Sequence, residues 1–118
     1  MNDIYRIYHN DIGIAFQWKK DVEAGFTETI QVVFRNTGFY LDYKEVKEFY
    51  NKAKVAHHLQ QCEGCAKKGK CSSYLLQTPT DKVDLAVTKK ELNSITDLLK
   101  GTLFQIELNG YINEICKN

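Results

Sequence analysis

The sequence predicts an α+β domain: a mainly antiparallel sheet of five or more strands with two main helices packed on one face. Three observations carry this. Short apolar runs with period two alternate with turn residues, two capping signals each precede apolar residues at helical spacing, and the composition suits one core. Of the 118 residues, 43% are apolar, 26% charged and 12% aromatic, with a single proline. That composition fits one domain over residues 1–118. A chain of this size buries roughly two thirds of its unfolded surface, so it can fold without a disulfide or a metal where its pattern is consistent.

Ile4-Tyr5-Arg6-Ile7-Tyr8 and Ile12-Gly13-Ile14-Ala15-Phe16-Gln17-Trp18 form the first expected hairpin, with His9-Asn10-Asp11 as the turn because Asn and Asp favour tight reversals. The stretch Lys19 to Gly25 is polar. Ile30-Gln31-Val32-Val33-Phe34 and Phe39-Tyr40-Leu41 then flank Arg35-Asn36-Thr37-Gly38 as a second strand, turn and strand.

Asp42-Tyr43-Lys44-Glu45 opens the first helix. The Asp oxygen accepts from the third helical N–H while the Glu reaches back to the cap. Val46, Phe49, Tyr50, Ala53 and His57 share one face. Thr88-Lys89-Lys90-Glu91 repeats the signal, followed by Leu92, Ile95, Thr96 and Leu99 on one face. Tyr74-Leu75-Leu76 and Val83-Asp84-Leu85-Ala86-Val87 supply two strands before it, around Thr78-Pro79-Thr80-Asp81. In register, Phe39, Leu41, Glu45, Val46 and Phe49 answer to Leu85, Val87, Glu91, Leu92 and Ile95. The pattern is that of a duplicated strand-strand-helix unit joined by a cysteine-rich connector. Gly101 is expected to close the second helix as a left-handed C-terminal cap, with Leu103-Phe104-Gln105-Ile106-Glu107-Leu108 as a further strand. Tyr111, Ile112, Ile115 and Cys116 then make a short terminal helix.

Charge and hydropathy exclude several functions. Sixteen Lys and Arg against fifteen Asp and Glu leave a net charge of +1, which removes the electrostatic argument for nucleic acid or an anionic membrane. No apolar run approaches the ~18 residues that span a bilayer. Met1 to Asp11 has no basic start, apolar stretch and small-residue cleavage site, so the expected location is the cytoplasm. There is no Ser-His-Asp ordering, Gly-rich phosphate loop or helical His-Glu pair of the metalloprotease type. Asp81, Asp84 and Glu107 have no feature that pairs them for acid–base chemistry, and no catalytic residue is assigned.

The chemistry-bearing constellation is Cys62-Glu63-Gly64-Cys65 followed by Cys71, with His57 and His58 upstream. A Cys-x2-Cys pair lets two thiolates approach one ion at ~2.3 Å, and zinc ordinarily takes four ligands of this kind. Gly64 and Gly69 permit tight turns beside the ligands. Either His57 or Cys116 completes the set with Cys62, Cys65 and Cys71. The helical wheel puts His57 on the face of Val46, Tyr50 and Ala53, with His58 turned about 100° away. The dipole of a helix's last turn is expected to favour the charged form of His57. Soft thiolate donors select zinc. Lys67, Lys68 and Lys70 lower nearby thiol pKa values whatever the chemistry. A permanent disulfide is disfavoured in the cytosol.

Gln31 through Leu41, Cys62-Glu63-Gly64-Cys65, Leu76-Gln77-Thr78-Pro79 and Leu85 through Leu92 resemble an uncharacterised family of short bacterial proteins, chiefly from Bacteroidota. The resemblance covers residues 25 to 108. It implies a small cytoplasmic α+β domain with a cysteine connector, and it transfers no catalytic residue because the family has no assigned activity.

The leading expectation is a noncatalytic interaction or regulatory domain whose connector is fixed by zinc. One alternative is a thiol redox protein or sensor using Cys62 and Cys65, which would form a reversible disulfide. A further alternative is a metal-free oligomeric structural protein with cysteines buried as small hydrophobes. Exposed sheet edges or the tyrosine-bearing face, from Tyr5, Tyr8, Tyr40, Tyr43, Tyr50, Tyr74 and Tyr111, are the expected surfaces for a protein partner or a second copy.

Overall fold

The computed structural model describes residues 3–25, 28–59, 74–80 and 82–117, with 59 and 110–117 described as backbone alone. Its elements run β1 (Ile4–His9), β2 (Gly13–Trp18), α1 (Lys19–Glu23), β3 (Ile30–Phe34), β4 (Thr37–Leu41), α2 (Tyr43–Leu59), β5 (Tyr74–Gln77), β6 (Asp84–Val87) and α3 (Lys89–Lys117). The molecule measures 55 × 28 × 26 Å.

The α+β class holds, but the described strands do not share one sheet. β1 to β4 form an antiparallel meander in chain order, while β5 and β6 pair only with each other. The second hairpin docks by its buried face. Tyr74, Leu76 and Val87 are buried and β5 packs on α2, so its apolar side is satisfied without extending the first sheet. The turn of this hairpin is held internally. The buried Thr78 hydroxyl donates to the Val83 carbonyl (2.8 Å) and accepts the Thr80 N–H (3.2 Å).

In the large sheet, Ile30, Val32 and Phe34 alternate inward along β3 with Ala15 of β2 and Leu41 of β4. Phe34, Phe39 and Phe49 form a ring cluster, with centroids 5.7 Å apart for Phe34–Phe39 and 5.2 Å for Phe39–Phe49. It ties the β3–β4 hairpin to α2. That hairpin turns on two residues, Arg35 and Asn36, rather than four, since Phe34 pairs directly with Thr37. Arg35 takes a positive φ of 55°, which a two-residue hairpin turn demands at its first loop position. Its guanidinium donates to the Ala86 carbonyl at 3.1 Å and lies 3.8 Å from the Glu91 carboxylate, joining the turn to the second hairpin.

Both capping boxes close. Asp42 Oδ1 accepts the Glu45 N–H (2.8 Å) while Glu45 Oε1 accepts the Asp42 N–H (3.0 Å). Thr88 and Glu91 make the same reciprocal pair at 3.1 and 2.9 Å. The equivalent apolar positions are equally buried: Leu41 with Val87, Val46 with Leu92, Phe49 with Ile95. Thus β3-β4-α2 and β5-β6-α3 repeat one local grammar, and their helices pack on each other.

Two expectations for the C-terminal region fail together. Gly101 does not end a helix, and residues 103–108 are not a strand; α3 continues through both to Lys117 as one helix of 29 residues, about 43 Å long. Leu92, Ile95, Leu98, Leu99, Thr102 and Leu103 are all buried, so the helical stripe carries on past the glycine and outweighs the local alternation of Leu103 to Leu108. Thr102 satisfies its buried hydroxyl by donating to the Leu98 carbonyl (2.6 Å). Gly101 is required by close approach instead: a Cβ there would overlap the Tyr8 ring. The separate terminal helix is accordingly the continuation of α3. Lys19 to Gly25, a polar stretch in the sequence, begins with the short helix α1, which Ala24 caps and Gly25 follows at φ 98°.

Candidate functional site

α2 carries His57 in its last turn, and the register of its buried residues decides where that ring points. Val46, Phe49, Ala53 and Ala56 are buried. His57, next on that face, is half-buried against α3, with Nε2 at 3.2 Å from Thr96 Oγ1. Thr96 Oγ1 lies 2.7 Å from the Leu92 carbonyl, to which it donates its single hydrogen. The threonine oxygen is therefore an acceptor toward the histidine, so Nε2 bears the ring proton and Nδ1 keeps its lone pair.

The ring is also biased toward neutrality. Burial lowers the His57 pKa below its ordinary value, and the neighbouring cations His58 and Lys89 lower it further. These effects oppose the attraction of the helix terminus, which on sequence grounds favours the charged form. A neutral imidazole with one nitrogen hydrogen-bonded to a hydroxyl has the electronic form of a metal ligand, whose far nitrogen is ordinarily held in this way. His58 is exposed.

The remaining predicted ligands are not all comparable. Cys62, Cys65 and Cys71 lie outside the described residues, as do Lys67, Lys68 and Lys70. Cys116 belongs to the α3 backbone, and at about 1.5 Å per residue it lies roughly 30 Å further along that helix than Thr96, which holds His57. Among the described residues no three His, Cys, Asp or Glu side chains gather as a metal site.

Three tyrosine–carboxylate pairs stand out that the sequence did not announce. Tyr8 donates to Asp97 (3.0 Å), Tyr43 to Glu107 (2.6 Å) and Tyr40 to Asp21. Each carboxylate bond raises its phenol pKa, with burial adding to it. Asn10 joins the first pair. Its amide donates to the Ser94 carbonyl (2.8 Å) and to Asp97 (2.9 Å), while its oxygen accepts the Ile12 N–H (3.0 Å). One turn residue thus shapes the β1–β2 turn and pins it to α3. The sequence signal for the turn was the Asn itself; its partners lie 84 and 87 positions away and had none.

A shallow depression of about 410 Å³ opens between Asp3, Trp18, Lys19, Lys20 and Glu23. Lys20 lies over the Trp18 ring at 5.9 Å and Lys19 over Tyr5 at 5.3 Å. Its charges are mixed, and nothing in it resembles a catalytic arrangement. No described helix is long and apolar enough to cross a membrane. No protein-family model, curated protein or solved structure matches the chain.

Proposed function

We propose that this protein is a small noncatalytic interaction or regulatory domain, resident in the cytoplasm, whose connector between α2 and β5 is fixed by zinc on Cys62, Cys65, Cys71 and His57. The observation that supports it is the state of His57. Burial and neighbouring charge bias its ring toward the neutral form, its Nε2 is turned to the Thr96 oxygen, and it stands in the last turn of the helix that leads into the cysteines. Three thiolates and an imidazole suit zinc by softness and by number. The position of Cys116, well along α3, favours His57 as the fourth ligand. The zinc would supply no reaction step; it would hold the connector in one conformation.

Elemental analysis of freshly purified, untagged protein tests the reading. About one zinc per chain, lost in Cys65→Ser together with some thermal stability, is the expected result, because metal binding to ordered ligands adds directly to folding free energy. A wild-type protein without metal and with oxidisable thiols would instead favour redox use of Cys62 and Cys65. Metal retained by Cys65→Ser would remove that residue from the ligand set.

A further inference from the structure

The two edges of the four-stranded sheet are unlike. β1 is irregular between Arg6 and Tyr8, where the pairing skips Ile7, carries a charged Arg6, and is covered in part by α3. Bulges, charges and covering elements are the devices by which sheets block edge pairing. β4, at the other edge, reads Thr37-Gly38-Phe39-Tyr40-Leu41, with no charge, no proline and no break in its register.

The register also states which β4 groups face outward. Phe34 and Thr37 close the two-residue turn and form a hydrogen-bonded pair, so Val32–Phe39 and Ile30–Leu41 are hydrogen-bonded pairs as well. Gly38 and Tyr40 therefore direct their N–H and C=O away from β3. No described residue bonds those main-chain groups. Gly38 is exposed and Tyr40 is 55% exposed.

We propose that β4 pairs with β4 of a second copy, antiparallel about a two-fold axis at Phe39, so that two four-stranded sheets become one of eight. The strand is complementary to itself in that register. Gly38 lies opposite Tyr40 of the other copy and Tyr40 opposite its Gly38, so the four outward groups of each copy make four main-chain hydrogen bonds between them. Tyr40, whose hydroxyl donates to Asp21 of its own copy, faces a glycine that has no side chain to obstruct the approach. Asn36 falls opposite Asp42, so no like charges meet across the seam. A contact of one five-residue strand is smaller than a standard interface, and the dimer is concentration-dependent.

Sedimentation equilibrium over a wide concentration range, with amide exchange followed by NMR on the same samples, tests this. The expected result is a mass rising from monomer toward dimer while the Gly38 and Tyr40 amides slow. The Phe39 amide, already bonded to β3, should hold its rate. Tyr40→Lys should move the midpoint to concentrations about tenfold higher or more, since it places charge at the seam, whereas Tyr40→Phe, which loses the same bond to Asp21, should leave it in place. A monomer at every concentration overturns the proposal. So does a dimer in which the Gly38 and Tyr40 amides exchange as they do in the monomer.

Discussion

Replacing Gly101 by alanine should destabilise this protein, against the usual rule for a glycine inside a helix. Relative to glycine, alanine ordinarily adds about 1 kcal/mol at such a position through backbone entropy. Here the added Cβ would overlap ring carbons of Tyr8. The ring cannot swing aside freely, because its hydroxyl is bonded to Asp97 at 3.0 Å and Asp97 is also held by Asn10 at 2.9 Å. Overpacking costs about 1–3 kcal/mol, and an exposed hydrogen bond contributes about 0.5–1 kcal/mol. The net loss is about 1–2 kcal/mol, a fall in Tm of roughly 4–8 °C for a domain of this length. In a Tyr8→Ala background the obstacle is gone, and Gly101→Ala should raise stability by about 1 kcal/mol. Urea unfolding of wild type, both single variants and the double variant gives the coupling directly, expected at about 2–3 kcal/mol. If Gly101→Ala stabilised the wild type as much as it stabilised Tyr8→Ala, the claim that this glycine exists for the Tyr8 contact would be refuted.

Other consequences follow from the same packing. Phe49→Ala, which empties the centre of the ring cluster at a fully buried position, should cost about 3–5 kcal/mol, read from chemical denaturation. Asp42→Ala and Thr88→Ala should each cost about 1 kcal/mol and should add in the double variant, because the two caps share no partner. Spectrophotometric titration of tyrosine should show Tyr8, Tyr40 and Tyr43 ionising above the ordinary phenol value, with Asp97→Asn returning Tyr8 toward it. The sign for stability follows: the folded phenols hold their protons to higher pH than unfolded ones, so any contribution is full below about pH 10 and is lost as pH climbs through the raised values.

The elements legible in the sequence were those whose signal is local. Asp42 with Glu45 and Thr88 with Glu91 announce helix starts because both partners of a capping box lie within four residues. The first hairpin was legible because Asn10 is a turn former. Gly101 misled for the opposite reason. Its purpose lies in Tyr8, on a strand at the other end of the chain, and a glycine between two apolar runs otherwise reads as a helix end. Residues 103–108 carry apolar side chains at 103, 104, 106 and 108, which fit a strand or a helix equally; the buried stripe arriving from Leu92 and Ile95 decides for the helix. The split of the strands into two sheets depends on β5 packing against α2, a tertiary choice with no local mark. Of the candidate site, the residue types and spacing were readable, whereas the form of the His57 ring depends on Thr96, a residue on another helix.

The most direct test of the metal reading is the state of that ring. With nitrogen-15 in the imidazole, NMR of the zinc-loaded protein should show the His57 Nε2 protonated and coupled to its hydrogen, with Nδ1 shifted by the metal. Chelation should release Nδ1 to the value of an unprotonated nitrogen while Nε2 keeps its proton on Thr96. Nitrogen shifts identical before and after zinc removal would contradict His57 as a ligand, and a proton on Nδ1 would contradict the arrangement on which the account rests.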